Sequence, residues 1–314
     1  MKYCLITLTW AAALLAQSST STTFTTDFNG NTVQASAISS VSSPGRTERT
    51  ELTASINGRQ VPLQQTEERV LREDSSGKTT EKIVRKYDPN GQLMSTERVL
   101  TDEQKLAGGG SKVLETTYRS DINGQMRESQ RTTSETQRQG SETHTETSIE
   151  RAGLDGSFQT VEKHSAVTGT AGDQTHTDET VYRRSDHGGF YPAIRLVSEE
   201  RKTGDKTSNQ VAFYEADVTG SLQLSRQTVS TTTKRPDGSE VTEANLYAPS
   251  VPGVIREPGA AQQLQEQQLT TRVKGPGGAV TETLVVRRPS ISDPNTLGPP
   301  QKISETVCKG NCTP

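Results

Sequence analysis

Tyr87-Asp88-Pro89-Asn90-Gly91-Gln92-Leu93 is a turn signal held between two apolar residues, and the chain keeps returning to it. Asp121-Ile122-Asn123-Gly124-Gln125-Met126 follows, with Tyr118 just ahead of it. Leu154-Asp155-Gly156-Ser157-Phe158, Asp186-His187-Gly188-Gly189-Phe190 and Asp217-Val218-Thr219-Gly220-Ser221-Leu222 continue the series. From Gly58 through Gly91, Gly124, Gly156, Gly189 and Gly220 to Gly253 the spacings are 33, 33, 32, 33, 31 and 33 residues. A second glycine series lies between these: Gly45, Gly77, Gly110, Gly140, Gly172, Gly204 and Gly238. Each repeat of about 32 residues therefore holds two turns, joined by segments rich in Thr, Val, Ser, Glu and Arg.

Asx chemistry followed by glycine suits a hairpin connection, because glycine accepts positive φ without strain. Thr and Val favour the pleated backbone. Two turns per repeat, with no room for a crossover helix, predict an all-β, extended antiparallel meander of two-strand repeats. A third series runs in phase with the glycines: Tyr87, Tyr118, Ile149, Tyr182, Tyr214 and Tyr247 before the turn. Leu93, Met126, Phe158, Phe190 and Leu222 follow it. This ladder is expected to be the thin apolar seam of the sheet, each pair adding about 0.2–1 kcal/mol.

Composition supports a thin seam. Of 314 residues, 29% are hydrophobic and 4% aromatic, which cannot build a thick core. Strand bodies such as Ser141-Glu-Thr-His-Thr-Glu-Thr-Ser148 are polar at every position. That weighs against an outer-membrane barrel, whose outward residues alternate as apolar. The expected product is a largely solvated sheet, twisted or partly rolled. A formal net charge of −3 shows no basic field for nucleic acid.

The N-terminus reads as an export signal over residues 1–18. Lys2 precedes an apolar run from Cys4 to Leu15, and Ala16-Gln17-Ser18 offers a small-x-small cleavage pattern. The run is too short to span a membrane, and no transmembrane segment is expected after cleavage. Residues 19–45 read as a Ser/Thr-rich, poorly ordered lead-in, 46–248 as the hairpin repeats, and 249–314 as a Pro-rich degenerate last repeat and tail. Cys308 and Cys312 are expected to pair in an oxidising compartment, with a metal site as the rival reading. The location is then secreted, periplasmic or cell surface.

Tyr87-Asp88-Pro89-Asn90-Gly91-Gln92-Leu93 resembles the core of YD, or RHS, repeats, with Asp121 to Met126 a looser copy. That resemblance implies a bacterial secreted or surface protein built of β-hairpins.

No catalytic or cofactor constellation stands out. An EF-hand calcium loop would place Lys86, Arg119 or Arg151 at its first ligand position, where a cation repels the metal. His144 and His176 are 32 residues apart, at equivalent places of successive repeats, too far apart for shared ligation. No nucleophile-elbow motif occurs, and glutamates such as Glu142, Glu146, Glu179, Glu199 and Glu200 lie in polar runs with nothing to desolvate them. The sequence favours a non-catalytic structural or interaction protein with an extended β surface. Its partner is unknown: an envelope component, a polysaccharide or another protein. A glycan-binding module is the alternative, and a secreted hydrolase stands third.

Overall fold

The computed structural model describes residues 17–26, 32–43, 47–56, 59–121, 123–249, 262–290 and 296–310. Eighteen strands run through them in chain order. They are β1 (Gln17–Thr26), β2 (Thr32–Ser43), β3 (Thr47–Ile56), β4 (Arg59–Asp74), β5 (Gly77–Tyr87) and β6 (Leu93–Lys105). Next come β7 (Ser111–Ser120), β8 (Met126–Gln139), β9 (Glu142–Ala152), β10 (Phe158–Ala171), β11 (Gln174–Arg184) and β12 (Phe190–Thr203). The last six are β13 (Lys206–Ala216), β14 (Leu222–Lys234), β15 (Glu240–Ala248), β16 (Gln263–Lys274), β17 (Val280–Arg287) and β18 (Gln301–Gly310).

Every strand pairs antiparallel with the next, as the meander requires. The sheet does not stay open, however. β1 pairs with β18 from Ser19↔Gly310 to Phe24↔Glu305, and the eighteen strands close into one barrel. The expected twisted or partly rolled sheet is corrected on this point. The stagger that closure needs is visible in the register. One row of facing residues runs Thr80, Thr101, Glu115, Thr132, Ile149, Glu162, Arg183. It starts inside β5 and reaches the penultimate residue of β11, so the rows climb steadily along the strands.

Five strands lie where the sequence suggested a lead-in and a tail. β1 and β2 occupy most of 19–45, while β16, β17 and β18 fall within 249–314. β1 starts at Gln17, ahead of Ser18, so the strand includes the last two residues assigned to the signal.

The connections explain why the glycines recur. At Asp88–Gln92, Gly91 N–H donates to Asp88 C=O (2.9 Å) and Asp88 N–H to Gln92 C=O (2.8 Å). The Asp88 carboxylate accepts from Asn90 N–H and Gln92 N–H, each at 2.8 Å. The same pair of backbone bonds recurs at Asp121–Gln125, Gly153–Ser157, Ser185–Gly189 and Asp217–Ser221. The fourth residue of each is a glycine at φ near +80°: Gly91, Gly124, Gly156, Gly188 and Gly220. In the Gly188-Gly189 pair, positive φ therefore falls one residue before the expected Gly189. Gly58 lies outside the described residues.

Next to this rim the register shifts by one residue at Lys86/Tyr87, Thr117/Tyr118, Val181/Tyr182, Phe213/Tyr214 and Leu246/Tyr247. Each shift is a bulge, which bends and twists the strand locally. It also decides what the ladder tyrosines face.

Two outcomes test this architecture. Thr23 and Thr306 face each other across the closing pair, with hydroxyls 3.0 Å apart. Thr23→Cys with Thr306→Cys should form a disulfide linking β1 to β18, detected by peptide mapping without reduction. Its absence in the folded protein would refute closure. Gly124→Val places a β-branched residue at φ +78° and should destabilise by about 1–3 kcal/mol. Thr145→Val, in the body of β9, should change stability by less than about 0.5 kcal/mol in the same denaturant titration.

Candidate functional site

Adjacent strand residues point to opposite faces, so neighbouring charges show both faces at once. Glu81-Lys82, Asp178-Glu179 and Glu199-Glu200 lie inside β5, β11 and β12. Both faces of the wall are therefore polar, and so are the lumen and the outer surface.

The ladder does not form a core. Tyr87 pairs directly with Leu93, but the bulges set Tyr118 opposite Glu128 and Tyr214 opposite Leu224. Met126 faces Ser120, Phe190 faces Arg184, and Leu222 faces Ala216, so the remaining ladder contacts run diagonally. Ile149 points to the other face, because Ala152 is the partner of Phe158 and lies three residues away. Leu93 is 55% exposed, and Met126 and Phe190 are exposed as well. Tyr182 and Tyr247 lie opposite Pro192 and Leu264. Three of the ladder rings are capped by cations instead of being buried. Arg98 sits 5.5 Å from the Tyr118 ring, Arg131 4.1 Å from Phe158, and Lys163 4.7 Å from Phe190. Tyr87 donates to Gln65 Oε1 at 2.8 Å.

Among the described residues the buried hydrophobic side chains are Ala193, Ala212, Val280 and Val286, and no large side chain is fully buried. Among the described residues nothing fills the barrel with apolar side chains. Ion pairs and hydroxyl pairs tie the strands together. Glu81 is nearly buried between Arg69 (2.5 Å) and Arg98 (2.6 Å), which join β4, β5 and β6. Arg195 holds Asp178 across β11 and β12 with two N–H donors. Thr136 and Thr145, Thr168 and Thr177, and Thr232 and Thr242 pair their hydroxyls at 2.8–3.1 Å. At the rims, Asp217 is held below the usual carboxylate range, first by the hydroxyl of Thr219 and then by its N–H. Asp121 is lowered chiefly by Gln125 N–H.

Two shallow grooves lie against the wall. One, of about 590 Å³, is bordered by Ser165, His176, Asp178, Tyr182 and Arg195. The other, of about 440 Å³, is bordered by Arg49, Glu51, Gln65, Glu67 and Arg85. Ser165, His176 and Asp178 share the first groove, but Ser165 donates to Glu146, His176 lies beside Glu199 and Asp178 is held by Arg195, so no described hydrogen bond joins them as nucleophile, base and orienter. No metal-ligating cluster occurs among the described residues. His144 and His176 sit two strands apart, beside Glu142 and Glu199 respectively. Cys308 is disulfide-bonded and lies in β18 opposite Val280 and Ser21, while Cys312 is outside the described residues. No described helix is long and apolar enough to cross a membrane, which says nothing of a barrel that crosses with strands.

No protein-family model and no curated protein matches the chain. Solved structures do match its fold. OccK1 (OpdK) of Pseudomonas aeruginosa aligns with a TM-score of 0.56 at 12% identity, over 94% of this chain and 97% of that one. OccK2 (OpdF) of the same organism, solved in complex with glucuronate, gives 0.55 at 10% identity, over 95% and 98%. A mutant of Rh. blastica porin gives 0.52 at 7% identity, over 94% and 99%. The likeness is one of fold, and it overturns the resemblance to YD repeats: this is a single closed wall of porin-like form. The reading as an extended structural or glycan-binding β surface falls with it, since the meander encloses a lumen.

Glu81 tests the ionic wall. Glu81→Ala leaves Arg69 and Arg98 facing each other and should cost about 1–3 kcal/mol. The exposed Glu103→Ala should stay within about 0.5 kcal/mol. Equal effects in urea titrations would show that the triad contributes nothing special.

Proposed function

We propose that this protein is a non-enzymatic channel of the cell envelope, passing small polar solutes through a water-filled barrel. One observation carries the reading: an eighteen-strand closed wall with no apolar filling among the described residues. Barrels of 16–18 strands are wide enough to leave an aqueous passage. Strand length agrees with a membrane-crossing role. A spanning strand needs about 9–11 tilted residues, and the strands here run from 8 to 16. The porin-like fold supports the same reading, and it favours the outer membrane as the place.

The outer surface sets a condition on insertion. A lone Arg or Lys at the bilayer midplane costs about 2–4 kcal/mol. Ion pairs such as Arg195–Asp178 close charge against charge within the wall and lower that cost. In this reading Cys308 pairs with Cys312.

The decisive experiment is reconstitution of the full mature chain into planar bilayers, with flotation of the same protein on liposomes as a companion. Discrete conductance steps and co-flotation are expected. The protein staying at the bottom of the gradient, with no conductance, would overturn the channel.

A further inference from the structure

His164 is the one histidine whose two ring nitrogens both meet carboxylates among the described contacts. Nδ1 lies 2.8 Å from Glu179 Oε1, and Nε2 lies 2.9 Å from Glu162 Oε1. Glu162 also accepts from Arg183 Nε at 3.4 Å. The chain Glu179–His164–Glu162–Arg183 thus zigzags between β10 and β11 on one face. All three members of its core are about a quarter to a third exposed.

A neutral imidazole has one N–H and one bare lone pair. An ionised carboxylate only accepts. Two such contacts on one ring require both nitrogens to carry protons, so the geometry is that of an imidazolium. The charges then balance: two glutamates against His164 and Arg183. Removing one proton leaves a bare nitrogen facing a carboxylate oxygen, and the group acquires one net negative charge.

The surroundings offer no substitute. On β9, Thr147 faces His164 and Ile149 faces Glu162, with Arg151 further along opposite Gln159. On β11, Val181 faces His164, and Glu179 and Arg183 are the charged residues on that side. On β12, Leu196 faces Glu179 and Ile194 faces Val181, with Glu200 further along opposite Thr175. Uncharged side chains therefore flank the cluster on both outer strands. In a ring of eighteen, β10 stands nine strands from β1, across the barrel from the closing pair.

We propose that His164 is a proton-operated latch between β10 and β11, closed while the ring holds both protons and released when rising pH removes one. The latch stands on its own geometry and does not need the channel reading. Its sign is fixed: the stabilisation is present at the acid side of imidazole titration and absent at the alkaline side. His144 and His176 make single, longer carboxylate contacts of 3.4 and 3.7 Å and serve as controls.

The test compares thermal midpoints of the full mature chain and of His164→Gln at several pH values from 6 to 9. All of these lie above the ordinary carboxylate range near 4. The wild type should melt a few degrees higher at pH 6, with the gap closing by pH 9. Glu179→Gln, which removes one acceptor charge and leaves Glu162 in place, should reduce the pH dependence of the gap. His144→Gln should show no such gap. A gap that is constant with pH, or one shared by His144→Gln, would overturn the latch. Conductance is not read, so failure here is separate from failure of the channel.

Discussion

Closure of β1 on β18 is the constraint on which the rest of this structure depends. A sheet with two polar faces has little to gain from stacking on anything. Left open, it would expose two rows of unpaired N–H and C=O groups, an invitation to pair with another chain. Closing the ring removes both edges. It is also the one pairing that is not local. Every other ladder joins strands consecutive in the chain, whereas Thr23 and Thr306 are 283 residues apart. Loop closure costs only about (3/2)RT ln n plus a constant, so a long separation is tolerable in free energy. Its demand falls on geometry instead. The rows of facing residues must climb by the right total around seventeen local pairings before the last strand meets the first.

The glycine connections supply that accuracy. At the rim of Gly91, Gly124, Gly156, Gly188 and Gly220, each leaves one residue at φ near +80° and closes with the same two backbone bonds, while Gly140, Gly172 and Gly204 on the other rim turn at φ of 56–65°. A bulge recurs beside Tyr87, Tyr118, Tyr182, Tyr214 and Tyr247, and at Thr160/Glu162 in the β9–β10 hairpin, and each adds local twist toward the rim of Gly91. Between the rims, stability comes from many small terms. Net backbone hydrogen bonds contribute about 0.5–1.5 kcal/mol each, and cross-strand pairs about 0.2–1 kcal/mol. In the Arg69–Glu81–Arg98 triad, Glu81 is nearly buried while both arginines stay about half-exposed. The wall is stitched along its whole circumference, with no central core.

Much of this was legible in the sequence, and the failures have particular causes. The glycine and tyrosine series marked the hairpins because a positive-φ residue and a bulge-side ring leave local signatures. β1 and β2 were missed because neither carries a tyrosine, and Ser/Thr-rich strands look like lead-in. Pro-rich spacing hid β16 to β18. Closure was invisible since it depends on accumulated stagger, which no single repeat displays. The ladder was misjudged as a seam through an error of register. The hairpin closes with Ser120 opposite Met126, two residues beyond Tyr118, so Tyr118 faces Glu128 instead of the apolar Met126, and the rings of Tyr118, Phe158 and Phe190 end up under Arg98, Arg131 and Lys163. Of the candidate site, the His164 cluster could have been suspected from Glu162-x-His164, but Glu179 joins it only once β10 and β11 are in register.

The same one-layer geometry accounts for a porin-like fold at 7–12% identity. In a wall one strand thick, odd and even residues serve different faces and answer to different surroundings. Neither face packs against a second layer, so neither must keep a particular set of side-chain volumes. What the fold does require is strand number, stagger and turns able to take positive φ. Those requirements occupy a few glycines and aspartates per repeat and leave the strand bodies free to change. The strand count then does something composition cannot. With eighteen strands and side chains as short as Thr, Ser and Val along much of the wall, the interior is too wide to fill, and water is the only medium that polar faces will accept there. In the channel reading proposed above, an open, hydrated lumen would follow from the number of hairpins together with the poverty in large apolar residues. The composition that argued against a thick core is, once the ring is closed, the composition that the proposed passage requires.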